Sequence, residues 1–249
     1  MTSAIVIGQS HCVAIQEALS RTSSTSADIS VYRLESKNRP YETDTVTAAE
    51  AVAIVEGSPP DSRLFLSTYG TYHNIWGLLR SGPDFDFLLD PHDAPDPAGA
   101  VHIPHRAVAS AFEAHLAKPS FIRKMQKAAK APVYLLSTPP PKGDNEFMLE
   151  RLMSQKKKSY RGRAVEDIGI ERPLARLKLW QMEMQAIDRW ASAEGMQFIP
   201  APVAALDGSG FLDKAFYSDA THANERYGAL VVDQIRAVLS AGSGLQAYG

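Results

Sequence analysis

The chain has one cysteine, Cys12, among 249 residues. No intramolecular disulfide can form, so a disulfide-stapled secreted scaffold is excluded and a reducing compartment is expected. Long hydrophobic runs are also lacking. No apolar stretch approaches the roughly 18 residues needed to cross a bilayer. No basic segment followed by an apolar run precedes the first apolar stretch, so no secretory leader is expected. Charge of one sign is not in excess: 26 Lys and Arg face 28 Asp and Glu, a net charge of -2. That balance gives no global attraction to nucleic acid or an anionic membrane. Metal-ligand patterns are scarce as well. His102 and His105 form a close pair, but no second cysteine exists and no acidic partner stands at ligand spacing. These absences predict a cytoplasmic protein without metal or cofactor, and without nucleic-acid or membrane partners.

Hydrophobic residues make up 45% of the chain and charged residues 22%. This is the composition of an ordinary globular protein, and the length suffices for one large core. Short apolar runs at residues 4–8, 28–34, 63–68, 133–137 and 196–199 read as strands. Between and after them, residues 10–20, 44–57, 174–195 and 221–241 carry apolar positions at helical spacing. In the second of these, Asp44 is the expected cap, and Gly57 with Pro59 and Pro60 ends the helix. Alternating strands and helices predict a single α/β domain over residues 1–249, with a parallel sheet covered on both faces. Two stretches break the alternation and read as insertions that shape a cleft. They are residues 82–104, rich in Pro, Asp and Gly, and residues 142–172, with Lys156, Lys157, Lys158, Arg161 and Arg163. The basic cluster would attract an anionic substrate if it is more than a solvated loop. Residues 242–249 are expected to fray.

Two short motifs carry chemistry. Ala4-Ile5-Val6-Ile7-Gly8-Gln9-Ser10-His11 is a buried strand that breaks at a glycine and presents Ser10 where a helix begins. Such an elbow exposes a hydroxyl beside unpaired helix amides, which suits an oxyanion. The same serine is also an ordinary helix cap. Near the other end, Ser218-Asp219-Ala220-Thr221-His222-Ala223-Asn224 sets a carboxylate three residues before an imidazole. Serine needs a base to take its proton, and a carboxylate orients that base. The plain alternative is that Asp219 caps the last helix and His222 is a surface residue. In a doubly wound sheet the loop after the first strand and the loop before the last helix open at the same edge. The two motifs would then meet in one cleft.

With these residues in place, the chain resembles the SGNH/GDSL hydrolase family. Gly8-Gln9-Ser10-His11 stands where that family has its serine block, with Gln9 in place of the usual aspartate. Asp219-Ala220-Thr221-His222 stands where it has Asp-x-x-His. The resemblance implies a flavodoxin-like three-layer α/β/α domain with a five-stranded parallel sheet in the order 2-1-3-4-5. It further implies a Ser10–His222–Asp219 triad and an acyl-enzyme. The family draws oxyanion donors from the serine amide, a glycine after the second strand and an asparagine after the third. Here no glycine lies between Gly8 and Gly57, so Ser36 or a neighbour would serve with its amide. After the third strand, Gly70, Thr71 and Asn74 are the candidates. His11 and His73 would either contact a substrate oxygen or serve as hydrogen-bonded structural histidines, and Trp76 would line a pocket. Cys12 reads as a packing residue. The implied activity is hydrolysis of an ester, an O-acyl group of a carbohydrate or similar small molecule. Transfer to a non-water acceptor is one alternative. A catalytically lapsed glycan- or anion-binding protein is the other.

Overall fold

A computed structural model describes residues 3–21, 28–35, 44–80, 82–89, 99–118, 120–154, 159–160 and 162–243. In chain order, the elements begin with β1 (Ala4–Gly8), α1 (Cys12–Arg21), β2 (Ile29–Leu34), β3 (Thr45–Val46) and α2 (Ala48–Gly57). Next come β4 (Arg63–Ser67), α3 (Tyr72–Gly77), β5 (Phe85–Asp86), β6 (Val101–His102), α4 (His105–Leu116) and α5 (Ser120–Ala128). They are followed by β7 (Val133–Leu136), α6 (Asn145–Ser154), β8 (Ser159–Tyr160), β9 (Arg163–Ala164) and α7 (Val165–Ile168). The chain closes with α8 (Pro173–Ala193), β10 (Gln197–Ile199) and α9 (Glu225–Ser243).

The main sheet runs β10-β7-β4-β1-β2-β3, and all of its pairings are parallel. Its first five strands are the expected 2-1-3-4-5 order. The sixth, β3, is an addition: two residues on the outer edge of β2, too short to register as an apolar run. Period-2 alternation divides the strand residues between two cores. Ile5, Ile7, Leu64, Leu66, Val133 and Leu135 face α2, α4, α5 and α8. Ala4, Val6, Phe65, Tyr134 and Leu136 face α1 and α9. The molecule is therefore a three-layer sandwich.

Helix boundaries depart from the sequence reading where capping chemistry decides them. Thr47, not Asp44, caps α2: Thr47 Oγ1 accepts from the Glu50 amide, and Glu50 Oε2 accepts from the Thr47 amide at 2.7 Å. Asp44 has a positive φ of 62° and stands before β3. The closing helix starts later than expected, at Glu225, because Asn224 accepts from the amides of Arg226 and Tyr227. The two insertions hold more regular structure than their composition suggested. The first contains the parallel pair β5–β6, and the second contains α6, the hairpin β8–β9 and α7. Lys156, Lys157, Lys158, Arg161 and Ser36 lie outside the described residues, as do residues 244–249.

One close approach ties the ends of the chain together. A Cβ on Gly228 would lie 1.9 Å from the carbonyl oxygen of Ala14, so α9 meets α1 backbone to backbone. The loops that precede these two helices carry the two motifs.

Candidate active site

Ser10 sits in the turn between β1 and α1. Gly8 ends β1 so close to β4 that a Cβ would meet Ser67 at 2.8 Å. The Gln9 amide then bonds Ser67 O at 3.1 Å, and the Cys12 amide and thiol both donate to Gln9 O. These bonds turn the chain sharply and leave Ser10 half-buried at the C-terminal edge of the sheet. Among the described residues the Ser10 side chain has no hydrogen-bond partner, so it is not spent on capping α1. Cys12 is buried, and that burial pushes its thiol up to about 12. It stays a protonated packing group.

The loop before α9 brings Asp219 and His222 together. Asp219 Oδ1 accepts from the Thr221 amide at 2.8 Å and the His222 amide at 2.7 Å, while Oδ2 lies 2.8 Å from His222 Nδ1. Burial favours a neutral carboxyl here. The bonds from His222 and Thr221 and the charge of His222 outweigh it and hold Asp219 well below the usual carboxylate range. The ionised carboxylate fixes the Nδ1–H tautomer and leaves Nε2 for chemistry. Because Asn224 caps α9, Asp219 is not the helix cap.

The two motifs meet through His11 and His222, whereas Ser10 Oγ makes no hydrogen bond to His222. The rings of His11 and His222 stand with centroids 5.1 Å apart, so the residue after Ser10 packs against the imidazole that Asp219 orients. His11 Nδ1 is shielded and has no partner among the described residues. Burial first, and then coupling to His222, His73 and Lys142, push His11 down to about 3, against a smaller opposing pull from Asp219. It is a neutral imidazole at physiological pH.

After β4, Gly70 takes a φ of 98°, and a Cβ there would press on Met184 and Thr138 at 3.0 Å. Its carbonyl accepts from the Thr138 hydroxyl at 2.8 Å. Thr71 then precedes α3. A cavity of about 500 Å³ opens beside Gln9, with Tyr69, Gly70, Thr71, Tyr72 and His115 in its walls; Ser10 and His222 are not part of its lining. Gly70 and Thr71 thus border the cavity, whereas Asn74 lies further along α3 and is not part of its wall. Trp76 belongs to a separate apolar recess of about 300 Å³ with Phe85, Ile103, Val108 and Leu179. His73 is buried and bonded through Nδ1 to Glu183 Oε2 at 2.8 Å. The same carboxylate accepts from the amides of Tyr72 and His73. This second carboxylate–imidazole pair repeats the bonding pattern of Asp219 and His222. Its acid lies on α8, and no local motif marks it.

Among the described residues no group of three or more His, Cys, Asp or Glu side chains is placed to hold a metal ion. No described helix is long and apolar enough to cross a membrane.

No protein-family model matches the sequence, and none of the curated proteins does. Solved structures are similar in fold. The periplasmic domain of a lipopolysaccharide acetyltransferase from Salmonella ser. Paratyphi A is 14% identical, over 96% of this chain and 84% of that one, with a TM-score of 0.51. A GDSL-like lipase from Bacteroides thetaiotaomicron is 11% identical over 97% and 89% of the two chains, at 0.46. An aryl esterase of M. smegmatis is 10% identical over 96% and 99%, at 0.43. The chain shares the three-layer α/β/α fold of that acetyltransferase domain. Within this fold, the β1–α1 turn and the loop before α9 are the segments that hold Ser10 and the Asp219–His222 pair.

Proposed function

We propose that the protein is a serine esterase that acts on an O-acyl group of a carbohydrate or similar small molecule. The observation that carries this reading is the contact between His11 and His222. It sets an Asp219-oriented imidazole against the turn that presents Ser10. His222 Nε2 takes the Ser10 proton, and Oγ attacks the ester carbonyl. The Ser10 amide and the Gly70–Thr71 segment receive the oxyanion, with His11 as a further substrate contact; His73 is buried on Glu183 and does not serve. His222 returns the proton to the leaving alcohol, and water resolves the acyl-enzyme. Asp219 stays ionised throughout and stabilises the imidazolium. A cavity of about 500 Å³ with tyrosine and histidine walls suits a sugar ring or a short acyl chain. The fold it shares with a lipopolysaccharide acetyltransferase domain is in keeping with an O-acylated glycan, and with an alcohol acceptor in place of water.

The test is reaction with a fluorophosphonate probe, followed by peptide mapping and hydrolysis of a p-nitrophenyl acyl ester. Label on Ser10 and turnover that vanishes in Ser10→Ala are expected. Ester hydrolysis that survives in Ser10→Ala would sink the serine mechanism. Binding of an acylated glycan without label or turnover would instead favour the lapsed binding protein.

A further inference from the structure

Lys142 is buried, 2% exposed, in the loop between β7 and α6. Its Nζ donates to the main-chain carbonyl of His222 at 2.9 Å. That carbonyl already accepts from the Ser218 amide at 3.2 Å, so it does not need the lysine for satisfaction. Burying an ammonium is costly, and a methionine would fill the same space without that cost. The loop nonetheless clamps the lysine firmly. Pro139, Pro140 and Pro141 restrict the chain before it, the Leu212 amide bonds Pro141 O at 3.0 Å, and Arg176 donates to Lys142 O. The groups that face the ammonium are His222 and Asp219 from the loop before α9, the Tyr217 ring at 5.2 Å, Arg176 from α8 and His11 from the β1–α1 turn.

We infer that Lys142 is a positioning residue for His222: it anchors the main chain of the base and keeps a positive charge beside the Asp219–His222 pair. This rests on the serine-esterase reading for its catalytic consequence, though not for its structural one. His222 is then held at four points. Its amide and Nδ1 bond Asp219, and its carbonyl takes Ser218 and Lys142. A misplacement of the base by about 1 Å typically costs about a hundredfold in rate. Burial, with a further push from Arg176, lowers Lys142 to about 8 against the opposing pull of Asp219, so this charge is present at neutral pH and fades above it.

The experiment compares wild type, Lys142→Met and Lys142→Arg by ester kinetics, by the rate of phosphonate labelling, and by NMR of the His222 Cε1–H. In folded Lys142→Met, kcat should fall about 10- to 100-fold with KM within about twofold, and labelling should slow by the same factor. Lys142→Arg should recover most of the loss. An unchanged His222 resonance together with unchanged kcat in folded Lys142→Met would overturn the assignment. Should Lys142→Met fail to fold, the wild-type His222 resonance decides: it should step as pH passes through about 8, and no step refutes the assignment. A wild type that neither labels nor turns over would refute the serine reading. The NMR arms would still judge Lys142.

Discussion

The carboxylate of Asp219 holds His222 by two handles at once, its ring through Nδ1 at 2.8 Å and its backbone through the amide at 2.7 Å. One side chain therefore sets the tautomer, the ring orientation and the local chain path. Asp219→Asn keeps the shape but presents an amide to Nδ1, which favours the wrong tautomer. On the proposed mechanism, turnover should fall about 10⁴-fold while the melting temperature changes little. Steady-state kinetics beside a thermal melt make the comparison. A loss below tenfold would remove Asp219 from the triad.

Lys142 also makes a prediction about stability alone. The unfolded chain keeps the Lys142 proton up to 10.5, whereas the folded chain releases it near 8. Between those values the unfolded state binds more protons, so folding gains stability as pH rises; below about 8 the cost of the buried charge is fully present. Urea unfolding at about pH 7.5 and about pH 10 should show wild type gaining on Lys142→Met by up to about 3 kcal/mol. Parallel behaviour of the two proteins would contradict the buried ammonium.

His11 works at the other end of the pH scale. The folded state holds it neutral down to about 3, while the unfolded chain takes up a proton near 6.5. Stability from this residue is complete above 6.5 and drains away as the pH falls toward 3. Wild type should lose roughly 2 kcal/mol more than His11→Gln between about pH 7 and about pH 5. Denaturant midpoints at the two pH values provide the check, and equal losses would count against it.

Gly228→Ala tests the joint between α1 and α9. The added methyl would lie 1.9 Å from Ala14 O, and a backbone carbonyl cannot swing aside as a side chain can. The helices must separate, at a cost of about 3 kcal/mol or more. Ester turnover should fall even in the fraction that stays folded, because the joint sets the distance between the two motif loops. Gly57→Ala has nothing within 4 Å of its new methyl and should leave stability within about 1 kcal/mol. A Gly228→Ala protein as stable and active as that control would show the joint to be loose.

What could be read from the sequence divides by range. The five strands, the Ser10 elbow and the Asp219–His222 spacing are local patterns, and the fold puts them where local reasoning expects. The α2 cap was also legible: Thr47-Ala48-Ala49-Glu50 is a capping box, and its reciprocal bonds outcompete Asp44 three residues earlier. β3 escaped because two residues carry no period. Glu183 and Lys142 escaped for a different reason. Glu183 meets a partner 110 residues away, and Lys142 one 80 residues away. A buried charge inside an amphipathic helix or a proline-rich loop looks like any surface charge until the fold supplies its partner. Arg176 and Lys178 on α8 show the same thing, since both are buried and both pair with residues far away in the chain, Lys142 and Asp86.

The backbone contact at Gly228 has a consequence for biosynthesis. Ser10 leaves the ribosome within the first helical unit, but Asp219 and His222 follow some two hundred residues later, and α9 must dock on α1 before their loop is set. A nascent chain arrested before residue 219 would carry the nucleophile without its base or the carboxylate that orients it. The site as proposed is therefore completed only when α9 closes on α1.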